Sequence, residues 1–399
     1  MAVKRPAKSS DRAGAGPKRV GPKGVGALTK RDRAVALIVT AARRLTASRG
    51  RTLGQPAIGR GKEMPRILVA CSAGADSSAL VLALATVGWP MVVGHVVHDL
   101  RSKKVAEGDA AKAEELAKGV GAEFVSTRVK VKAARGNTEG NARRERYAAL
   151  AVMAREHGCL FVATAHHMGD QAETVLMRLA RGSGPRGLMG VLASRVMSEE
   201  GDGNTDGTVR VIRPMLGVGG GESRRLCRAA GWVWTEDATN AEQSLVRNVI
   251  RAEVMPRLER VVPGAAERLA GAAEMFAEVE ADTARRARAV WKRSGRSAKG
   301  AASVDGRALV RSGRLVALAV LRRMFEEVVG VAGGGGGGGA KSAKLKREHL
   351  MGVVSALEER AYGRVITWPG GGVRVRFERS GAGKTLTVKV VARVGARGR

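Results

Sequence analysis

Between Arg66 and Thr86 the chain runs from an apolar stretch, Arg66-Ile67-Leu68-Val69-Ala70-Cys71, through Ser72-Ala73-Gly74-Ala75-Asp76-Ser77, into an Ala/Leu-rich segment. The apolar stretch lacks polar alternation, which suits a strand buried on both faces. The last segment favours helix. A strand that turns through small residues into a helix leaves free N–H groups and the positive end of the helix dipole facing one spot, an anion site. Ser72, Ser77 and Ser78 add hydroxyl donors. Asp76 is out of place in a pure anion hole, but a carboxylate beside phosphates makes sense if it holds a Mg²⁺ that bridges them. The plain alternative is a βα turn with a Ser/Asp cap. No Gly-Lys-Ser/Thr follows, so the loop is not a Walker A loop, and it is not a Gly-x-Gly-x-x-Gly turn.

Downstream the same rhythm repeats. Buried-strand patterns at 91–96, 124–129 and 160–165 alternate with helical patterns at 105–119, 138–157 and about 168–181. This predicts an α/β fold, a parallel sheet with helices on both faces. Ligands of such sheets bind at the carboxyl ends of the strands. The loop 72–77, the segment His95–Arg101 and the segment His166–Glu173 all fall at such ends. A further strand at 209–213 stops at Pro214, and 196–208 reads as a surface loop. A helical region over 246–290 breaks at Val262-Pro263-Gly264. Seven glycines, Gly333 to Gly339, form a linker, and beyond it a helix (about 342–360) and strand-like runs near 363–368, 373–377 and 385–391 make a small α+β appendage. The expected division is therefore 1–62, 63–255, 256–332, a linker at 333–340, and 341–399.

Charge narrows the partner. A formal net charge of +33 points to a polyanion, most simply nucleic acid, or else to a merely solvated basic surface. Aromatics at 3% argue against a base-stacking single-strand platform and for phosphate-tracking contacts to a folded RNA or a duplex. Cys71, Cys159 and Cys227 are far apart, which disfavours a zinc ribbon, an iron–sulfur cluster or a disulfide scaffold and fits a reducing, cytoplasmic setting. No apolar run is long enough to span a membrane. Residues 1–62 hold sixteen Lys/Arg against two acids and read as a largely disordered extension, with a short amphipathic helix possible at 33–47. An RNA-binding arm, an organellar transit segment and a solvated tail all fit that composition.

Two clusters carry chemistry. In His166-His167-Met168-Gly169-Asp170-Gln171-Ala172-Glu173-Thr174, residues 166, 170 and 173 share one helical face, so His166, Asp170 and Glu173 point together. Two acids at i, i+3 can receive an amine and hold a cation. A zinc helix and simple capping by Asp170 are the competing readings. In Asn137-Thr138-Glu139-Gly140-Asn141-Ala142-Arg143-Arg144-Glu145-Arg146-Tyr147, Arg143 and Arg146 lie on one face and can grip phosphate. A surface charge ladder is the alternative.

The loop Ser72-Ala73-Gly74-Ala75-Asp76-Ser77 resembles the Ser-Gly-Gly-x-Asp-Ser loop of the PP-loop ATP pyrophosphatases, which split ATP into AMP and pyrophosphate. Ala73 stands where that family usually has Gly; if the position needs φ > 0, alanine costs roughly 1 kcal/mol or more. Within that family the ordered set of motifs resembles the tRNA(Ile)-lysidine synthases over about residues 65–260. These motifs are the loop, His95-Val96-Val97-His98-Asp99-Leu100-Arg101 (with Asp99 for a usual Gly), Asn137-x-Glu139-x-x-Ala142-Arg143-x-x-Arg146-Tyr147, and His166-His167-x-x-Asp170-Gln171-x-Glu173-Thr174. Arg213-Pro214-Met215-Leu216, Trp234-x-x-Asp237-x-Thr239-Asn240 and Arg247-Asn248-x-Ile250-Arg251 agree further.

The resemblance implies a ligase that uses ATP and Mg²⁺ to adenylate the wobble cytidine of the CAU anticodon of tRNA(Ile) and then joins L-lysine to it. It implies ATP at Ser72–Ser77, Mg²⁺ on Asp76, lysine at Asp170 and Glu173, phosphate of ATP or tRNA at Arg143 and Arg146, and a donor role for His166. A thiolase on the same fold would want paired cysteines, which are missing, and a basic RNA-binding protein with a decayed ATP site is the non-enzyme alternative. The oligomeric state stays open, a homodimer among the options.

Overall fold

The computed structural model describes residues 26–47, 64–99, 102–129, 138–197, 209–236, 245–298, 300–332, 347–359, 363, 365–367, 373–380 and 385–392. It forms two compact units, Met1–Met177 with Gly190–Ala270, and Arg178–Met189 with Gly271–Arg399.

The first unit runs α1 (Arg33–Ala47), β1 (Ile67–Ala70), α2 (Ala75–Ala85), β2 (Met91–His98), α3 (Lys103–Gly119), β3 (Glu123–Val129), α4 (Thr138–Glu156), β4 (Phe161–Ala163) and α5 (Met168–Ala180). A short α6 (Pro185–Leu188), which belongs to the second unit, interrupts it. The first unit then resumes with β5 (Ser194–Val196), β6 (Arg210–Ile212), α7 (Gly220–Ala229), α8 (Leu245–Val249), a π-helical turn (Ile250–Val254), α9 (Met255–Val261) and the start of α10 (Ala265–Ser294). The strands form one sheet in the order β3-β2-β1-β4-β6-β5. All neighbours are parallel except β5, which runs antiparallel on the edge. Leu68 of β1 faces Val92 on one side and Val162 on the other. The chain thus winds outward through β2 and β3 and then restarts across β1 at β4. The crevice between the carboxyl ends of β1 and β4 is the switch point where such sheets bind ligands.

Alternate strand residues feed two cores, as the period of a strand requires. Ile67, Val69, Val93, Phe161, Ala163 and Ile212 pack with residues of α1, α2, α3 and α7. Leu68, Val92, Val162, Val209 and Val211 pack on the other face with Leu150, Ala151, Met153 and Ala154 of α4. The α/β fold with helices on both faces therefore holds.

The N-terminal expectation needs correction at residues 26–47. They do not form a tail. Val35, Ile38 and Ala42 of α1 are fully buried in the main core. Asp32 accepts from the Ala34 and Val35 amides at the start of α1 and is gripped by both terminal nitrogens of Arg225 at 2.8 Å. The apolar stripe of this helix buries enough surface to hold it against its basic neighbours. The rest of the extension, residues 1–25 and 48–62, lies outside the described residues.

The second unit is built on a five-stranded antiparallel sheet in the order β7-β8-β11-β10-β9, with β7 (Arg296–Ala298), β8 (Ala301–Asp305), β9 (Val365–Thr367), β10 (Val373–Ser380) and β11 (Thr385–Ala392). Helices α11 (Gly306–Arg311), α12 (Arg314–Ala332) and α13 (Arg347–Glu358) complete it. Val304 pairs with Val388, so strands from before and after the glycine run share one sheet and one core. The two regions expected as separate, 256–332 and 341–399, contribute to a single unit from Gly271 onward. The glycines themselves and the loop at 198–208 lie outside the described residues. Among the described residues no helix is long and apolar enough to cross a membrane.

Candidate active site

The loop after β1 is held by its own serine. The Ser77 hydroxyl accepts from the Ser72 amide at 3.1 Å, donates to the Gly74 carbonyl at 3.1 Å and lies 3.3 Å from the Ser72 hydroxyl. Ala73 sits at φ +64, the left-handed region, and is the one non-glycine there among the described residues. The strain expected at this position is present. It is offset by full burial of the Ala73 side chain and by the Thr235 amide, which donates to the Ala73 carbonyl at 3.0 Å. On the flank, His95 of β2 places Nδ1 2.8 Å from the Cys71 carbonyl. Gly74 precedes α2 without a side-chain cap, so the first-turn amides of that helix are left to a ligand.

Opposite, β4 leads through Thr164–His167 into α5. The Asp170 carboxylate accepts from the His167 amide at 3.0 Å, closing the first turn, while the Gly169 amide donates to His167 Nδ1 at 3.0 Å. His167 Nε2 is then 3.8 Å from Asp76 and 3.8 Å from Asp170. One imidazole therefore spans the crevice and links the β1 loop to the acid pair on α5. Asp76, Asp170 and Glu173 converge as the strand-end positions predicted.

The acid pair faces two arginines. Arg247 donates through Nε to Glu173 at 3.0 Å and through a terminal nitrogen to Asp170 at 3.1 Å. Arg251 donates to Glu173 at 2.6 and 3.1 Å and to Asp170 at 3.0 Å. The Glu173 side chain is only 6% exposed, so leaving it there without such partners would be costly. The two arginines flank the start of the π-helical turn and, at i, i+4, share one face towards the acid pair; single π turns recur at functional sites. For Asp170, burial opposes ionisation, but His167, His166, the His167 amide and Arg247 outweigh it and hold its carboxyl below the usual range.

His166 behaves differently from its neighbour. Burial, together with Arg213, Arg143 and Arg247 and against the pull of Asp170, drops its pKa to about 3, and its Nδ1 lies 3.0 Å from the Thr164 hydroxyl. It is a neutral hydrogen-bonding group. Arg143 stacks on Tyr147 with its guanidinium 5.0 Å from the ring centre, while Arg146 is exposed on the same helix.

The residues named from sequence thus gather as two walls, Ser72–Ser77 with Asp76 on one and His166, Asp170 and Glu173 on the other. Sequence reasoning gave no role to His167, Arg247 or Arg251. His167 was masked by its neighbour, since the helical face was counted from His166. The arginines come from more than seventy residues downstream; their i, i+4 spacing was the available signal. Leu100, Arg101, Asn137, Asp237, Thr239 and Asn240 lie outside the described residues.

Among the described residues no three His, Cys, Asp or Glu side chains form a metal cage. Asp76, 45% exposed, suits a Mg²⁺ that takes one protein carboxylate and completes its shell with phosphates and water. The three cysteines are buried, with burial raising each thiol, Cys159 to about 11 and Cys227 to about 12.

Comparison with known proteins agrees with this architecture. The family described as the PP-loop domain matches residues 45–258. Among curated proteins, a tRNA(Ile)-lysidine synthase of Symbiobacterium thermophilum is 35% identical over 67% of this chain and 56% of its own length. Proteins of the same name from Geobacter sulfurreducens and Thermus thermophilus are each 39% identical, over 54% and 56% of this chain and 45% and 41% of their own. The chain therefore spans about half the length of these relatives. With the family match covering more than half of its residues and including the strand–loop–helix at the switch point, the chain belongs to the PP-loop domain family.

Proposed function

We propose that the protein is a tRNA(Ile)-lysidine synthase that joins L-lysine to C2 of the wobble cytidine of a CAU anticodon, using ATP. The observation that carries this reading is the convergence of the Ser72–Ser77 loop and the Asp170/Glu173 pair on one crevice, joined by His167. The names of the relatives above support the choice of tRNA and lysine.

In the first step the cytidine O2 attacks the α-phosphorus of ATP and pyrophosphate leaves. The first-turn amides of α2 and the Ser72 hydroxyl would bind the phosphates as charge moves to the leaving group, with Ser77 holding the loop in shape. Asp76 would hold a Mg²⁺, which would supply charge neutralisation at those phosphates. In the second step the ε-amine of lysine forms the bond to C2 and AMP departs with the former O2. Asp170 and Glu173 are the groups to bind the ammonium and accept its proton. Arg247 and Arg251 set the orientation of those carboxylates and must yield a share of their hydrogen bonds to the incoming amine. His166, neutral and hydrogen-bonded to the Thr164 hydroxyl through Nδ1, would present Nε2–H as a donor to the reacting base in the tautomer whose Nδ1 accepts from Thr164. Arg143 and Arg146 remain candidates for phosphate of ATP or tRNA. The second unit and the helices from Pro256 onward would grip the tRNA body, in keeping with the net charge of +33. All reactants are cytoplasmic, and we place the enzyme there.

A thiolase reading finds no support in three buried cysteines with raised pKa values. The deciding experiment incubates the protein with ATP, lysine and a CAU-anticodon tRNA and analyses the anticodon nucleosides by mass spectrometry. Lysidine that forms only with all three present is the expected result. Unmodified cytidine under these conditions, or a thiolated base with a sulfur donor, overturns the assignment.

A further inference from the structure

A second cluster of charge lies on the other side of β4 from the nucleotide loop. Arg213, at the carboxyl end of β6, is 2% exposed. It donates to the Leu192 carbonyl at 2.5 Å and to the Tyr147 hydroxyl at 3.3 Å, and its Nε has no partner. Arg143 reaches the same hydroxyl at 3.4 Å, and Arg195 of the edge strand β5 stacks over the Tyr147 ring with its guanidinium 4.8 Å from the centre. Among the described residues no carboxylate lies within ion-pair distance of any of the three. A buried guanidinium cannot shed its charge and is costly unless an anion answers it. Here the buried Arg213 gathers with the exposed Arg143 and Arg195, with only a phenol and a carbonyl between them. Burial would raise the Tyr147 phenol, but Arg143, Arg213 and Arg195 outweigh it and hold it below its ordinary value, which is the field an oxyanion would meet.

We propose that Arg143, Arg195 and Arg213, gathered around Tyr147, form a phosphate site for the backbone of the RNA substrate. Guanidinium groups bind phosphate bidentately. Tyr147 accepts hydrogen bonds from two of them, which leaves its own O–H to donate to the same anion. The placement favours RNA over ATP. The nucleotide loop follows β1, the His166–Glu173 segment follows β4, and this cluster sits at β6 and β5, one and two strands further, or roughly 5–10 Å beyond β4 at the usual strand spacing. A target nucleotide held at β4 lies between its activating ATP and the cluster, within reach of a flanking backbone phosphate. This rests on the reading of the protein as an RNA-modifying enzyme but not on lysine as its co-substrate.

The test uses the full chain and an exposed member of the cluster, Arg195→Ala, with Arg195→Lys as the charge-keeping variant and Tyr147→Phe as the second probe. Binding to a CAU-anticodon tRNA is measured across a salt series, alongside KM for ATP in the full reaction or, if none is seen, Kd for ATP. For Arg195→Ala we expect about tenfold weaker tRNA binding and a salt slope shallower by about one, with KM or Kd for ATP unchanged. Arg195→Lys should regain the slope but not the full affinity, and Tyr147→Phe should weaken binding without changing the slope. Wild-type affinity and slope in Arg195→Ala overturn the proposal. So does weaker ATP binding with intact tRNA binding, which would give the site to the nucleotide. If wild type forms no lysidine yet these shifts in RNA binding appear, the function assigned above falls and the phosphate site stands.

Discussion

The pairing of Glu173 with Arg251 sets a stability that can be weighed. Glu173 is 6% exposed at its side chain and takes two hydrogen bonds from Arg251, at 2.6 and 3.1 Å, and one from Arg247, at 3.0 Å. Stripping a buried carboxylate of its only partner costs about 3–5 kcal/mol. Because Arg247 remains, Arg251→Met should cost about half of that, ~2 kcal/mol. Glu173→Gln should cost a similar amount, since it leaves two guanidiniums sharing Asp170. The double variant Arg251→Met/Glu173→Gln removes both charges and should cost far less than the sum, with a coupling energy of about 2 kcal/mol. For a unit of this size each kcal/mol moves Tm by roughly 2–4 °C, so each single variant should melt about 4–8 °C early and the double variant about as early as one single variant, not twice as early. Thermal unfolding of the four proteins in one buffer reads the cycle. Strict additivity, or single variants within about 1 °C of wild type, would refute the claim that this pair is desolvated and mutually dependent.

At Ala73, φ +64 strains an alanine by about 1–2 kcal/mol, whereas glycine would forfeit about 0.8 kcal/mol of buried methyl and 0.5–1 kcal/mol of chain entropy. Ala73→Gly should therefore leave Tm within about 2 °C, and Ala73→Val should lower it sharply; a large gain in Ala73→Gly would contradict this balance. For His166, whose folded pKa is lowered to about 3 from an ordinary 6.5, the unfolded chain binds a proton that the folded chain refuses at intermediate pH. Stability should therefore rise with pH between about 3 and 6.5, this residue contributing about 1.4 kcal/mol per unit, and level off above. His166→Asn should flatten that rise in a Tm-against-pH series, and an unchanged slope would mean the imidazole is not the group responsible.

How much of this was legible depends on sequence distance. The β1 loop and the start of α5 were readable because each is a short segment whose residues meet by helical or strand period alone. Arg247 and Arg251 were not, because their role exists only once a distant π turn faces α5. Helix α1 shows composition overruling pattern. The helical period of Val35, Ile38 and Ala42 gave the helix at 33–47, yet the surrounding arginines and glycines hid that it packs in the core. The glycine run misled in the opposite direction, because its composition was taken as a boundary although Val304 and Val388 face each other in one sheet. The arginines around Tyr147 were half visible, since Arg143 was singled out but Arg195 and Arg213 reach it only through the edge of the sheet.

That shared sheet has a consequence for biosynthesis. Strand β11 (Thr385–Ala392) lies between β8 and β10, so a nascent polypeptide that has emerged only as far as the glycines holds β7 and β8 as a bare two-stranded ribbon, marginal in water. The N-terminal unit has all its strands by Ile212 and can consolidate during elongation, while its companion must wait for residue 392 to leave the ribosome. Until then its unpaired edge is open to proteases and to other chains.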